Sequence, residues 1–168
     1  MSTAKRATSP ASNRKIAELT SRIPHPYSLA DAVQWIAGLK EVGERAFLVT
    51  RKSDGTILGV VGVMGVGESD DKSEIGYWIG EPYWGQGFAT EAAQAVIDHT
   101  FHSQPVEQFM GRCRVANAAS RQVLVKCGFQ FIGTGMCPSR VYKGLVASEE
   151  FVLERSVWES LKRWGKAS

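Results

Sequence analysis

The apolar positions change their spacing several times along the chain, and each change marks an element. Residues 28–43, "SLADAVQWIAGLKEVG", place Ala32, Ile36 and Leu39 on one stripe and predict a helix. Ser28 is its cap, Asp31 takes the capping-box position and Gly43 ends it. "RAFLVTRKSDGTILGVVGVMGV" holds two β-rich runs around Asp54-Gly55, a hairpin signal. Gly59, Gly62 and Gly65 thin the second run and predict a close approach against it. "SEIGYWIG" alternates, with Ile75, Tyr77 and Ile79 on one side and Gly76 and Trp78 on the other. Residues 88–102 return to helical spacing. Ala89, Ala93, Val96, Ile97 and Phe101 form the apolar stripe, and Glu91, Gln94, Asp98 and His102 the wet one. "VEQFMGRCRV" is a strand, Asn117 caps a short helix with Ser120 in its first turn, and Gly128 follows its end. "FQFIGTG" and "EEFVLERSVW" read as the last strands.

The predicted order is α-β-β-β-α-β-α-β-β: a mixed α/β sheet of hairpin strands followed by a strand–helix–strand crossover. Its 168 residues show no internal repeat and no second domain boundary. The 43% hydrophobic and 22% charged composition is that of an ordinary globular protein. No apolar run is long enough to span a bilayer, and no signal-peptide segment opens the chain. A net charge of +3 is too small to argue for a nucleic-acid partner. Residues 1–22 concentrate that charge: Lys5, Arg6, Arg14, Lys15 and Arg22 stand against Glu18 alone, in a Ser- and Thr-rich stretch. They read as a basic, solvated N-terminal arm, with the domain over 23–168. Cys113, Cys127 and Cys137 have neither disulfide-framework nor zinc spacing, so buried reduced thiols and a cytoplasmic setting fit.

"YWGQGFATEA" joins the third strand run to the second helix. Gly85, Gly87 and Ala89 leave the first helical N–H groups uncovered, and such a turn admits a bulky anion to the backbone. A P-loop needs a Lys after its glycines, and a dinucleotide fingerprint needs GxGxxG; this chain has neither. A coenzyme A pyrophosphate loop and a turn built only for tight packing both remain open.

Two ordered motifs add context. "EIGYWIGEPYWGQGFATEA" followed by "NAASRQVLVKCGFQFIG" resembles the GNAT superfamily of N-acetyltransferases from Ser73 to about Gly135. The family's loop pattern is Gln/Arg-x-x-Gly-x-Gly/Ala. It maps onto Trp84, Gly85, Gln86, Gly87, Phe88 and Ala89, with Trp84 in the Gln/Arg position. The RimJ/RimL-type branch, which resembles ribosomal-protein N-terminal acetyltransferases, tolerates that change. Its "NxxS…KxGF" element maps onto Asn117, Ser120, Lys126, Gly128 and Phe129, and "SRIPHPYSLADAVQWI" is similar to its second helix and lead-in. The resemblance implies a GNAT-like, mostly antiparallel twisted sheet with flanking helices. Its cofactor site would be a strand–loop–helix unit. The family's first strand is missing or divergent here.

The resemblance also implies roles. Acetyl-CoA is the co-substrate and a primary amine the acceptor, on a protein N-terminus or a small molecule. The third strand should carry a bulge and splay from residues 106–115, so that the pantetheine arm pairs with backbone near Tyr77, Trp78 and Ile79. A backbone N–H of Trp78 or Ile79 should face the thioester oxygen. The N–H groups from Gly85 to Thr90 should hold the pyrophosphate. Glu74 is the candidate base acting through water, or else a surface carboxylate. Ser120 is the candidate proton donor to the thiolate, or else a first-turn hydroxyl bonded to backbone. Many family members place a Tyr where Leu124 stands. Tyr77 is an alternative donor, Asn117 a cap that also reaches the cofactor, and Lys126 a phosphate contact or a solvated last-turn Lys. His25, His99 and His102 have no triad or metal spacing. A non-catalytic acyl-CoA-binding protein of the same fold is the alternative. Val157, Leu161 and Trp164 fit either a homodimer contact or ordinary packing.

Overall fold

The computed structural model describes residues 10–39, 44–66 and 72–166. Two short helices, α1 (Arg14–Leu19) and α2 (Leu29–Gly38), precede the hairpin of β1 (Arg45–Thr50) and β2 (Ile57–Met64). Then come β3 (Lys72–Ile79), a 3₁₀ turn at Glu81–Tyr83, and α3 (Phe88–Ser103). They are followed by β4 (Gln108–Arg114), α4 (Ala118–Lys126), β5 (Gln130–Ser139), β6 (Gly144–Glu154) and α5 (Arg155–Lys166). The sheet order is β1-β2-β3-β4-β6-β5. Among the described residues only β3 and β4 run parallel, because α3 carries the chain back over the sheet between them.

Local chemistry sets the boundaries. Gly55 takes φ +69° in the first hairpin, and the Asp54 carboxylate accepts from Thr56 N at 3.0 Å. Ser28 and Asp31 form the reciprocal capping box at α2, which ends at Gly38; Gly43 lies outside the described residues. Gly59 meets the close approach its sequence implied. A Cβ there would stand 2.1 Å from the Trp78 carbonyl oxygen.

One face of the sheet carries the core. Val61, Val63, Ile75, Phe109, Phe151 and Leu153 pack under Val96, Ile97 and Phe101 of α3 and Leu124 of α4. Residues of α1 and α2, among them Ile16, Leu19 and Trp35, line a cavity shared with Gly62 and Gly76 of the sheet.

Three expectations are corrected. Residues 1–22 are not solvated throughout. Asn13 caps α1, Ile16 and Ala17 are buried, and Lys15 and Asn13 bind Glu81 just after β3. A small apolar face is enough to dock this helix despite its basic neighbours. "EEFVLERSVW" leaves the sheet at Glu154, and Arg155 starts a helix that sequence pattern had read as strand. That helix covers part of the supposed wet side of α3: Trp158 Nε1 donates to Asp98 at 2.7 Å, and His102 meets the Trp158 ring edge-on. On α5, Leu161 Cδ1 packs over Gly128, so part of the apolar stripe serves internal contacts. Among the described residues no strand precedes β1, which forms one edge of the sheet.

Arg155 joins three elements. Its guanidinium donates to the carbonyls of Phe101, Gln104 and Val106 at 2.6–2.9 Å and pairs with Glu107 at 3.2 Å. It thereby satisfies the carbonyl end of α3, where a cation is favoured. Arg155→Met is expected to cost about 2–3 kcal/mol, seen as a Tm loss of roughly 4–12 °C. Arg155→Lys should not restore it, because an ammonium lacks the planar fork. An unchanged Tm in a thermal melt would refute this assignment.

Candidate functional site

The parallel pairing of β3 and β4 runs from Lys72↔Gln108 to Ile75↔Gly111 and stops. Beyond it, Gly76–Ile79 lose their neighbour on that side while β4 stays paired with β6 through Arg114↔Ser148. The expected splay is present. The expected bulge is not: β2 and β3 keep unbroken register from Gly59↔Ile79 to Met64↔Glu74. The gap comes from divergence of the strands, with no extra residue.

Backbone direction in the gap follows from ladder alternation. Gly80 N donates to Leu58 O at 2.7 Å, so in the same register Trp78 and Gly76 bond toward β2. The backbone groups of Tyr77 and Ile79 therefore point into the gap. This removes Trp78 N–H from the pair of expected donors and leaves Ile79. The Ile79 carbonyl accepts from the Trp84 indole at 2.6 Å, a contact that sequence did not announce.

A cavity of about 950 Å³ passes through this gap, with walls from both faces of the sheet. On the helix-packed face it is lined by Tyr77, Asn117, Ser120, Leu124 and Lys126, and by the loop from Trp84 to Thr90 except Gln86. Gln86 turns its amide back onto the Pro82 carbonyl at 3.1 Å. Gly85 and Gly87 adopt φ +72° and +85°, which favour glycine, and a Cβ on either would meet nothing within 4 Å. These glycines are not packing against a neighbour; they face open space. No side chain caps α3 at Gly87, so its first N–H groups face the same region. An uncapped helix start with bare approach is an anion site in physical terms.

Ser120 is fixed from two sides. The Asn117 side-chain Oδ1 accepts from Ser120 N at 3.0 Å, and the Tyr77 hydroxyl lies 3.0 Å from Ser120 Oγ and donates to Ser120 O at 3.2 Å. Burial pushes the Tyr77 pKa upward, against a smaller opposing effect of the Ser120 bond, so the phenol stays protonated. On the opposite face the cavity is lined by Gly62, Glu74, Gly76 and Arg112 and by α1–α2 residues including Tyr27 and Trp35. Arg112 lies 3.8 Å from Glu74 and 3.4 Å from Glu150. Glu74 and Ser120 thus line the same cavity from different faces of the sheet.

Cys113 also borders the cavity. Burial first, then Glu149, push its thiol up to about 11, which leaves little thiolate for nucleophilic work at neutral pH. The other cysteines are likewise buried and reduced. Among the described residues no cluster of His, Cys, Asp and Glu is placed to hold a metal, and no helix is long and apolar enough to cross a membrane.

Comparison with known proteins agrees with this fold. A family model described as an acetyltransferase (GNAT) domain matches residues 6–130. The ribosomal-protein-serine acetyltransferase of Escherichia coli (strain K12) is 33% identical over 85 residues, covering 51% of this chain and 46% of that protein. The putative ribosomal N-acetyltransferase YdaF of Bacillus subtilis (strain 168) is 30% identical over 76 residues, covering 45% and 42%. The chain spans about half the length of the curated relatives it matches. Among solved structures, Mycobacterium smegmatis RimJ in complex with CoA-disulfide superposes with a TM-score of 0.79 at 18% identity, over 96% of this chain and 84% of that one. The fold, the motif pair and the family match agree: the chain belongs to the GNAT acetyltransferase family.

Proposed function

We propose that this protein is an acetyl-CoA-dependent N-acetyltransferase that moves the acetyl group directly to a primary amine, on a peptide N-terminus or a small molecule. One observation carries the reading. The glycine loop opens onto the cavity with no side chain above it, at the head of an uncapped 16-residue helix and beside a strand with an unpaired edge. The relatives whose names include acetyltransferase, and neighbours solved with acetyl-CoA or CoA, support it.

The residues divide the work. N–H groups from Gly85 to Thr90 hold the pyrophosphate, favoured by the positive end of the α3 dipole. Backbone groups of Tyr77 and Ile79 pair with the pantetheine amides along the gap. Ile79 N–H faces the thioester oxygen and stabilises the charge that develops there as the amine attacks. Glu74 takes the ammonium proton through water, from the face opposite the loop, and Arg112 holds its carboxylate in place. Ser120 Oγ gives its proton to the departing sulfur, and the Tyr77 hydroxyl, donating to the Ser120 carbonyl, holds the residue in place. Cytoplasmic placement accords with the free thiols.

Two outcomes test this. Gly87→Glu puts a carboxylate into the anion site and a side chain at positive φ, so acetyl-CoA binding by calorimetry should fall at least about 100-fold. Retained affinity would sink the cradle assignment. Ser120→Ala should reduce kcat by about 10²–10⁴ while the acetyl-CoA Kd changes little. Tyr77→Phe should lose less, since Ser120 keeps its own proton. Equal kcat for wild type and Ser120→Ala in a thiol-release assay would remove the serine from the mechanism.

A further inference from the structure

Ile75 faces Gly111 in the last pair that β3 and β4 share. One step further on the same face of the sheet, continued pairing would have set Tyr77 against Cys113. These two residues therefore mark the banks of the gap, and both belong to the helix-packed face. The first turn of α4 is bonded to each bank. On the β3 side, Tyr77 holds Ser120 through its hydroxyl. On the far side, the next residue, Arg121, forks onto Glu149: Nε donates to Oε2 at 2.6 Å and a terminal nitrogen to Oε1 at 2.7 Å.

Glu149 stands on β6 directly across the ladder from Cys113, whose thiol donates to the same Oε2 at 3.8 Å. Its side chain is 14% exposed, against 44% for Arg121. A fork on a carboxylate fixes direction as well as distance. Asn117 N adds a bond to Arg114 O at 2.8 Å, which ties the start of the turn to the end of β4. Two consecutive residues of α4 thus grip opposite sides of the divergence. With either grip released, the turn is free to follow one bank alone.

We propose that Glu149 is a positioning residue for acetyl transfer: it anchors Arg121, and the anchored turn holds Ser120 at the gap. Glu149 itself touches no reacting atom. This rests on the reading above in which Ser120 gives its proton to the departing sulfur.

Glu149→Gln keeps the shape of the side chain and removes its charge. In a thiol-release assay kcat is expected to fall roughly 10–100-fold, the scale of a misplacement near 1 Å. The acetyl-CoA Kd from calorimetry should stay within about twofold of wild type, since the phosphate cradle belongs to α3, and it serves as the check on folding. In the Ser120→Ala background the same change should alter kcat by less than about twofold, because its effect passes through the serine. Arg121→Gln, made at the more exposed partner, should repeat both results and stands in if Glu149→Gln does not fold. The Ser120 and Arg121 amides are bonded to Asn117. Their hydrogen exchange, followed by NMR on the CoA-free protein, should quicken about fivefold or more in either variant. Equal kcat for wild type and variant, a loss repeated in full in the Ser120→Ala background, or unchanged exchange would each overturn the proposal. Absence of thiol release by wild type is a different failure. It overturns the transfer reading and the role of Glu149 within it, while the exchange rates still decide whether Glu149 anchors the turn.

Discussion

Strands β3 and β4 share hydrogen bonds only as far as Ile75 and Gly111, and what the site does depends on their parting there. A continuous sheet would separate its two faces completely. The gap makes one cavity of them and leaves unpaired backbone at the place where chemistry is needed. Ladder alternation then decides which groups are offered, namely those of Tyr77 and Ile79. The same alternation sends the Tyr77 side chain toward Ser120 and the Glu74 side chain toward the far face. One interruption in pairing thus sets the positions of Tyr77, Glu74 and the unpaired backbone together.

Missing side chains serve two different ends in this chain. At Gly59 the neighbour's backbone is so close that a methyl group has no room. At Gly85 and Gly87 there is room in plenty, and the glycines are required by positive φ. Gly62 and Gly76 lie between these cases, as a cross-strand pair that lowers the cavity floor. Glycine in a strand and glycine in a loop look alike in a sequence, and only the atoms around them separate the reasons.

Local signals carried far. Asp54-Gly55, the Ser28/Asp31 box, Asn117 and the glycine loop each act within a few residues, and each formed as its chemistry implied. The losses have physical causes. "EEFVLERSVW" crosses from strand to helix with no Gly, Pro or Asn to mark the change, and the boundary is set by Arg155 reaching carbonyls some 50 residues earlier. Docking of α1 rests on Ile16, Ala17 and a contact to Glu81, too little apolar pattern to stand out in a basic stretch. Arg112 beside Glu74 and Glu44 over Gly62 are meetings between strands or across a loop, set by register, which one chain's pattern does not encode locally. That Ile79 rather than Trp78 turns its backbone toward the gap could be read only from the hydrogen-bond phase of the ladder.

The indole of Trp84 has a consequence for how this protein is observed. It is hydrogen-bonded to a carbonyl at the edge of the gap, and Trp35 and Trp78 border the same cavity. Three of the five tryptophans therefore sit where solvent must leave when a ligand arrives. Their emission colour depends on that solvent, so the chain carries its own optical gauge of occupancy and needs no attached dye.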